Sequence, residues 1–219
     1  MKRIATVLLA TVPLLLPATP ASAQVTLALT VGASRTAVGV DEDGSAFTSG
    51  AATRRSMGLA ASIPISGRLG LHLDGGYTEK GYSDRDGSFL DFRKNLKLVY
   101  MEARALGRLH VFGSDDGAKM YLLAGPTVAR ETSCQLHWQG VVNGESADDR
   151  VNCPAGSTSS LDFGLAAGAW VEMWLSDRLG LLLSAVHTRG LRDIDTASED
   201  ITMKNRATSL HTGFLFSIG

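Results

Sequence analysis

The sequence predicts an all-β protein, an eight-stranded antiparallel up-and-down transmembrane β-barrel with short turns at one end and four long loops at the other. Three observations carry that reading. Apolar residues recur at every second position in eight segments of the chain and almost nowhere at helical spacing. The connections between those segments alternate long and short along the chain. Beyond the N-terminal run, no stretch is apolar enough to cross a bilayer as a helix, which leaves a soluble protein or a closed barrel.

The first 23 residues stand apart from this pattern. Lys2 and Arg3 precede an apolar run from Ile4 to Leu16, and small residues close the segment at Ala21, Ser22 and Ala23. That three-part order is a secretory signal peptide with cleavage expected after Ala23. A membrane anchor is disfavoured because Pro13 and Pro17 break a run shorter than the roughly 20 apolar residues a spanning helix needs. Residues 24–219 then form one domain, the barrel.

The first strand is expected at about Val25 to Val38, with Val25, Leu27, Leu29, Val31 and Ala33 on one face and Thr26, Thr30, Gly32 and Ser34 on the other. The second, about Arg55 to Ile65, sets Met57, Leu59, Ala61 and Ile63 against Ser56, Gly58, Ala60 and Ser62. The third, about Arg68 to Lys80, opposes Leu69, Leu71 and Leu73 to Gly70, His72 and Asp74. In the fourth, about Leu96 to Val111, Val99, Met101, Ala103 and Ala105 face away from Tyr100, Glu102, Arg104 and Arg108. The fifth, about Lys119 to Arg130, is apolar on both faces and leaves its register open. The sixth, about Leu161 to Leu175, alternates most cleanly, Phe163, Leu165, Val171 and Met173 opposing Asp162, Gly164, Trp170 and Glu172. The seventh, about Arg178 to Arg189, and the eighth, Ser209 to Gly219, repeat the pattern with Leu179, Leu181, Leu183 and with Leu210, Phe214, Phe216, Ile218.

Between these segments lie GVDEDGSAFTSGAAT, then only Ser66 and Gly67, then YSDRDGSFLDFRKN, FGSDDGA, the stretch Glu131 to Ser160, Ser176 with Asp177, and LRDIDTASEDITMK. In a meander, alternate connections lie at opposite ends, so the long ones gather at one end. Short periplasmic turns and longer extracellular loops are the arrangement of outer-membrane barrels, which also have even strand numbers. A soluble barrel would turn its large apolar side chains inward. Here one face is Leu, Ile, Val, Met and Phe, suited to lipid, while the other is mostly Gly, Ala, Ser, Thr and charges.

A net charge of −1 provides no basic footprint for nucleic acid. The two cysteines, Cys134 and Cys153, lie in one polar segment of an exported chain and read first as a disulfide closing a loop. With only His137 nearby they lack the ligand set of a zinc site. No phosphate-binding or calcium-binding motif is present, and no cofactor is expected. The acidic runs at Asp41 and Asp193 read as solvated loops rather than cation sites.

Several stretches, DGGYTEKG at Asp74 to Gly81, LVYMEARALGRL at Leu98 to Leu109, LLAGPTVA at Leu122 to Ala129, LDFGLAAGAWVEM at Leu161 to Met173, RGLRDI at Arg189 to Ile194 and KNRATSLHTGFLFSIG at Lys204 to Gly219, occur in an order that resembles the outer-membrane protein beta-barrel domain family, small porin-like barrels of bacteria with two membranes. The chain departs from the family pattern at Arg104, where proline is usual, and at Val186 and His187. The resemblance implies a location in the bacterial outer membrane, and His211, Gly213, Phe216 and Ile218 resemble the C-terminal signal read by the outer-membrane assembly machinery.

The inward polar residues His72, Asp74, Glu102, Arg104, Arg108, Asp162, Glu172 and His211 are the candidate constellation. A network of mutually satisfied charges filling a narrow lumen is favoured over an ion path, because eight strands enclose a space only wide enough for side chains. A lipid-modifying hydrolase would need a serine with a histidine base, and neither His187 nor His211 sits in a recognisable arrangement of that kind. The expectation is therefore a monomeric, non-catalytic structural or surface-interaction barrel. A small channel and a lipid-modifying enzyme stand behind it. Outer-membrane lipid and lipopolysaccharide, the assembly machinery and an extracellular ligand of the loops are the expected partners, and the Cys134–Cys153 loop could bind a ligand or fold over the barrel mouth.

Overall fold

A computed structural model describes residues 24–42, 45–48, 50–86, 92–114, 117–142, 145–154, 158–194 and 201–218. The expected signal segment lies outside them. Among the described residues the chain is entirely β: β1 (Val25–Glu42), β2 (Ser45–Thr48), β3 (Ala52–Ser66), β4 (Leu69–Asp86), β5 (Phe92–Gly113), β6 (Ala118–Val142), β7 (Glu145–Asn152), β8 (Leu161–Trp174), β9 (Leu179–Gly190) and β10 (Ile201–Ile218).

Eight of these strands form an antiparallel ring in the order β1, β3, β4, β5, β6, β8, β9, β10, closed where β10 pairs back onto β1 along its whole length, from Val25↔Ile218 to Glu42↔Ile201. Closure removes the free edges that an open sheet would expose. β2 and β7 are short add-ons that pair with β1 and β6.

The register fixes the shape. Stepping across paired residues, Leu27 leads to Ala61, Leu73 and Ala105. Ala105 is level with Pro126, between the pairs Arg104↔Thr127 and Gly107↔Ala124, and the path continues through Leu165, Arg189 and Arg206. It returns to β1 at Ala37, about ten residues beyond its start. That stagger over eight strands, at about 3.3 Å per residue and 4.8 Å between strands, tilts each strand by about 40°.

The alternation read from the sequence places its apolar face outside. Leu59 is 66% exposed, Leu210 59% and Leu183 56%, whereas Leu106, Leu215 and Tyr100 on the inner face are fully buried. An exposed apolar belt running around the whole barrel is incompatible with water as its surroundings and fits a hydrocarbon layer. The fifth predicted strand takes its register from its neighbours: in β6, Leu123, Thr127 and Ala129 are buried inward while Leu122, Val128 and Arg130 face out.

Two expectations are corrected. The connections at the long-loop end are largely strand. β6 runs to Val142, and β7 folds back on it from Val142↔Glu145 to Gln135↔Asn152, so the stretch Glu131 to Ser160 is mainly a hairpin extending the barrel wall. The inner face is also more apolar than expected. Trp170, Leu106, Leu123, Leu182, Val186 and Leu215 form one buried cluster, and Val38, Val40, Leu98, Tyr100, Ala129 and Ile194 form a second. The interior of so narrow a barrel admits one layer of side chains at a time, and apolar layers fill it without the desolvation penalty of a charge.

Candidate functional site

The inner face of β5 displays the order of the lumen from the long-loop end to the short-turn end: Leu98, Tyr100, Glu102, Arg104, Leu106, Arg108. Each residue joins a layer contributed by other strands.

In the upper charged layer, Lys80 Nζ from β4 lies 2.8 Å from Glu102 and 3.8 Å from Asp162 of β8. Asn205 of β10 donates from Nδ2 to Asp162 at 2.9 Å and to the Tyr100 hydroxyl at 3.3 Å. The Lys80 ammonium also stands 5.0 Å from the Tyr100 ring centre. One ammonium therefore serves two carboxylates, all three groups buried.

The middle layer gathers His72, Asp74, Arg104 and His211. Arg104 Nε donates to Asp74 at 2.6 Å, and His72 Nε2 is 3.5 Å from the other Asp74 oxygen. His72 Nδ1 is 2.8 Å from the Ser62 hydroxyl. Across the lumen His211 Nε2 is 2.9 Å from Ser56 Oγ and Nδ1 is 3.5 Å from Ser184 Oγ. Gly32 makes room for that imidazole, since a Cβ there would come within 2.7 Å of His211 Cδ2. A ladder of hydroxyls continues upward through Ser34, which lies 2.6 Å from Ser209.

In the lowest layer Arg108 donates to Glu172 at 2.8 Å, Trp170 Nε1 donates to the same oxygen at 2.9 Å, and the guanidinium lies 3.5 Å from the Tyr121 ring centre. This layer floors a cavity of about 880 Å³ open at the short-turn end. Above it, His72 meets Trp170 edge to face at 4.6 Å, and the apolar cluster around Trp170 and Leu106 closes the section. The next void, bordered by His72, Asp74, Arg104 and His211, measures only about 20 Å³. The lumen is thus a stack of paired charges and apolar plugs.

The mouth at the long-loop end is closed by a residue of the last long connection and not by the disulfide segment. Ile194 is 2% exposed and packs with Val38, Val40 and Leu98. Its backbone is pinned at both groups, Ser159 N–H donating to its carbonyl and its own N–H donating to Met203, each at 2.9 Å. The disulfide Cys134–Cys153 instead bridges β6 to the residue following β7 at a Cα separation of 5.4 Å and ties the hairpin to the wall. Within the hairpin His137 Nε2 is 2.6 Å from Asp148 and Gln139 donates to the same carboxylate at 3.2 Å. These contacts, that of His137 first, hold the Asp148 carboxyl below its usual range.

In its backbone this barrel is similar to the outer membrane protein OprG from Pseudomonas aeruginosa, with a TM-score of 0.54 at 12% identity over 90% of this chain and 96% of that one. The chain has the fold of a small outer-membrane β-barrel. Looser likenesses include Ail, the attachment invasion locus protein of Yersinia pestis, at 13% identity, 88% and 99% coverage and TM-score 0.41. Neisserial surface protein A follows at 16% identity, 86% and 96% coverage and TM-score 0.41. No family model matches the chain, and no curated protein matches it in sequence.

All eight sequence-predicted lumen residues of this outer-membrane-type barrel lie on its inner face, distributed over three layers rather than joined in one path. His187 faces outward, 3.0 Å from the Thr208 hydroxyl on the neighbouring strand. Of the residues resembling an assembly signal, His211 and Gly213 point inward while Phe216 and Ile218 are exposed on the outer face. Lys80, Tyr100 and Asn205 are the members that sequence reasoning missed. Lys80 ends the third predicted strand on the same alternation as His72 and Asp74, so counting two residues at a time along DGGYTEK would have found it.

Proposed function

We propose that the chain is a bacterial outer-membrane protein with a structural or surface-interaction role, exported by the N-terminal signal and without catalytic activity. The observation that carries this reading is the combination of an apolar outer belt with a filled lumen: Arg108–Glu172, the Trp170 cluster, Asp74–Arg104, Lys80–Glu102–Asp162 and Ile194 occupy successive cross-sections. In this orientation the short turns and both strand ends β1 and β10 lie on the periplasmic side, and the disulfide-tied β6–β7 hairpin projects outward. The assembly machinery reads the β10 terminus, and the hairpin, with Val141 and Val151 exposed, meets an extracellular partner.

The cavity of about 880 Å³ keeps a channel as the second reading, since it hollows the periplasmic part of the lumen. Among the described residues a hydrolase draws support from the line Ser62–His72–Asp74, the serine–histidine contact that also has a carboxylate on the far ring nitrogen. There Asp74 is already bonded to Arg104, Ser62 is 3% exposed, and the neighbouring backbone N–H groups are engaged in the sheet ladder.

Fractionation of cells expressing the full chain tests the location, with the protein expected in the outer membrane and with faster gel mobility before heating than after. Recovery in the soluble periplasm would reject the reading. Planar-bilayer recording separates the two barrel functions, no steady conductance being expected. Pull-down with and without residues 135–152 tests the surface role, identical profiles counting against it.

A further inference from the structure

One wall of the barrel carries a feature that neither the lumen nor the hairpin uses. β9, β10, β1 and β3 are consecutive in the ring, and each contributes one exposed, outward-facing arginine at the upper edge of the apolar belt: Arg189, Arg206, Arg35 and Arg55. Arg189 pairs directly with Arg206. Arg206 pairs with Ala37, two residues above Arg35, and Arg55 pairs with Ala33, two residues below it. Because the strands are staggered by about ten residues in eight steps, little more than one residue per strand, these offsets bring the four side chains to nearly the same height. The row spans three interstrand spacings, about 15 Å.

The adjoining strands differ at this height. There Glu79 of β4 and Lys97 of β5 neutralise each other at 2.8 Å. Glu79 also accepts from the Arg55 backbone, so Arg55 sits beside a carboxylate already paired with Lys97, while no side chain of the four arginines forms an ion pair with a described residue and Arg189, Arg206 and Arg35 stand together as like charge. The residues beneath the row are Leu183, Leu210, Val31 and Leu59, all on the lipid-type face and all more than half exposed. Above it the Arg206 guanidinium turns away from the belt: a Cβ on Gly39 would stand 3.2 Å from its Cζ.

An apolar wall ending in a level row of guanidinium groups complements an amphiphile whose acyl chains end in an anionic headgroup. Guanidinium binds phosphate bidentately, and four of them suit a headgroup bearing more than one phosphate. We propose that Arg189, Arg206, Arg35 and Arg55 form a binding site for the phosphorylated headgroup of an outer-leaflet lipid of the lipopolysaccharide type, with its acyl chains along Leu183, Leu210, Val31 and Leu59. The inference rests on the outer-membrane reading above. A soluble polyanion is the less favourable occupant, because it would have to lie against the lipid boundary to reach the row.

The test uses the full barrel purified in detergent and the amount of lipopolysaccharide retained on it, for the protein, for R35Q/R189Q/R206Q, and for Arg130→Gln on the far wall. Loss of three charge-assisted contacts is expected to lower retention at least about tenfold in the triple variant, with less than a twofold change for Arg130→Gln. Lipopolysaccharide stripped of its phosphates is expected to bind as weakly to the unaltered protein. Equal retention by the triple variant, equal binding of the dephosphorylated lipid, or equally tight and arginine-dependent binding of heparin would each overturn the proposal. If the triple variant fails to fold, R189Q and R206Q singly are expected to lose about twofold or more, and unchanged retention in both overturns it as well. Gel mobility before and after heating reports the barrel independently, so a failure of the membrane reading shows as loss of that shift in the unaltered protein.

Discussion

Replacing Lys80 by methionine probes the filled lumen most sharply. Lys80, Glu102 and Asp162 are between 3% and 6% exposed, and the ammonium at 2.8 Å and 3.8 Å is the cation in ion-pair contact with these two carboxylates, Arg192 acting on Asp162 from farther away. Methionine keeps the length of the side chain and removes its charge, leaving two carboxylates facing each other in a space walled by Tyr100, Leu98 and lipid-facing strands. Removing one member of a buried ion pair costs about 3–5 kcal/mol, because the remaining charge is stranded without solvent. Neutralising the whole group is a different perturbation, and Lys80→Met with Glu102→Gln and Asp162→Asn is expected to lie within about 1–2 kcal/mol of the parent. The assay is urea unfolding in lipid vesicles, followed by tryptophan emission and by gel mobility before heating. A destabilised single variant and substantial rescue in the triple are expected. A single variant within 1 kcal/mol of the parent, or losses that simply add from one substitution to the next, would refute that expectation.

Leu59→Arg places a charge in the middle of the exposed apolar belt and is expected to cost about 2–4 kcal/mol in vesicles, whereas Arg55→Leu at its rim should change unfolding by less than about 1 kcal/mol. Reducing the Cys134–Cys153 disulfide releases a closure of 19 residues, worth about 3 kcal/mol to the hairpin in the chain-entropy view. Proteolysis is then expected to cut between residues 135 and 152 while the heat-dependent mobility of the barrel is unchanged. For Asp148, whose carboxyl is held below its usual range by His137, the folded hairpin gains stability above the unfolded-state value of about 3.9 and loses it as pH falls through the lower folded-state value. Protease resistance of the hairpin should therefore decline on acidification below about pH 4, and Asp148→Asn should flatten that decline.

Most of the architecture was legible because one face of every strand is in lipid and the period of two is therefore unbroken. In β1, Leu27, Leu29 and Val31 alternate with Thr26, Thr30 and Gly32, and in β8, Phe163 and Leu165 alternate with Asp162 and Gly164. β6 was not legible alone, because Leu122, Leu123 and Val128 are apolar on both sides: Leu123 joins the inner apolar layer while its neighbours face out. Its register is a property of the neighbouring strands. The hairpin was missed although its signals were present. Asn143-Gly144 lies between β6 and β7, and Asp43-Gly44 between β1 and β2, both two-residue sequences suited to tight hairpins. The lumen residues could be assigned to a face, but their partners depend on the stagger between strands. Nothing local in the chain brings Lys80 to Asp162 or Arg108 to Glu172, and the closure by Ile194 depends on a backbone contact with Ser159.

The central claim, a closed barrel with its apolar face in lipid and its polar face in a filled lumen, is tested most directly by a spin-label scan of Ser56 to Ile63 in β3, reconstituted in lipid vesicles with Cys134 and Cys153 replaced by serine. A strict period of two is expected, with labels at Met57, Leu59, Ala61 and Ile63 relaxed by oxygen dissolved in the bilayer and labels at Ser56, Gly58, Ala60 and Ser62 shielded from it. Uniform oxygen access along the strand, or the inverse alternation, would contradict it.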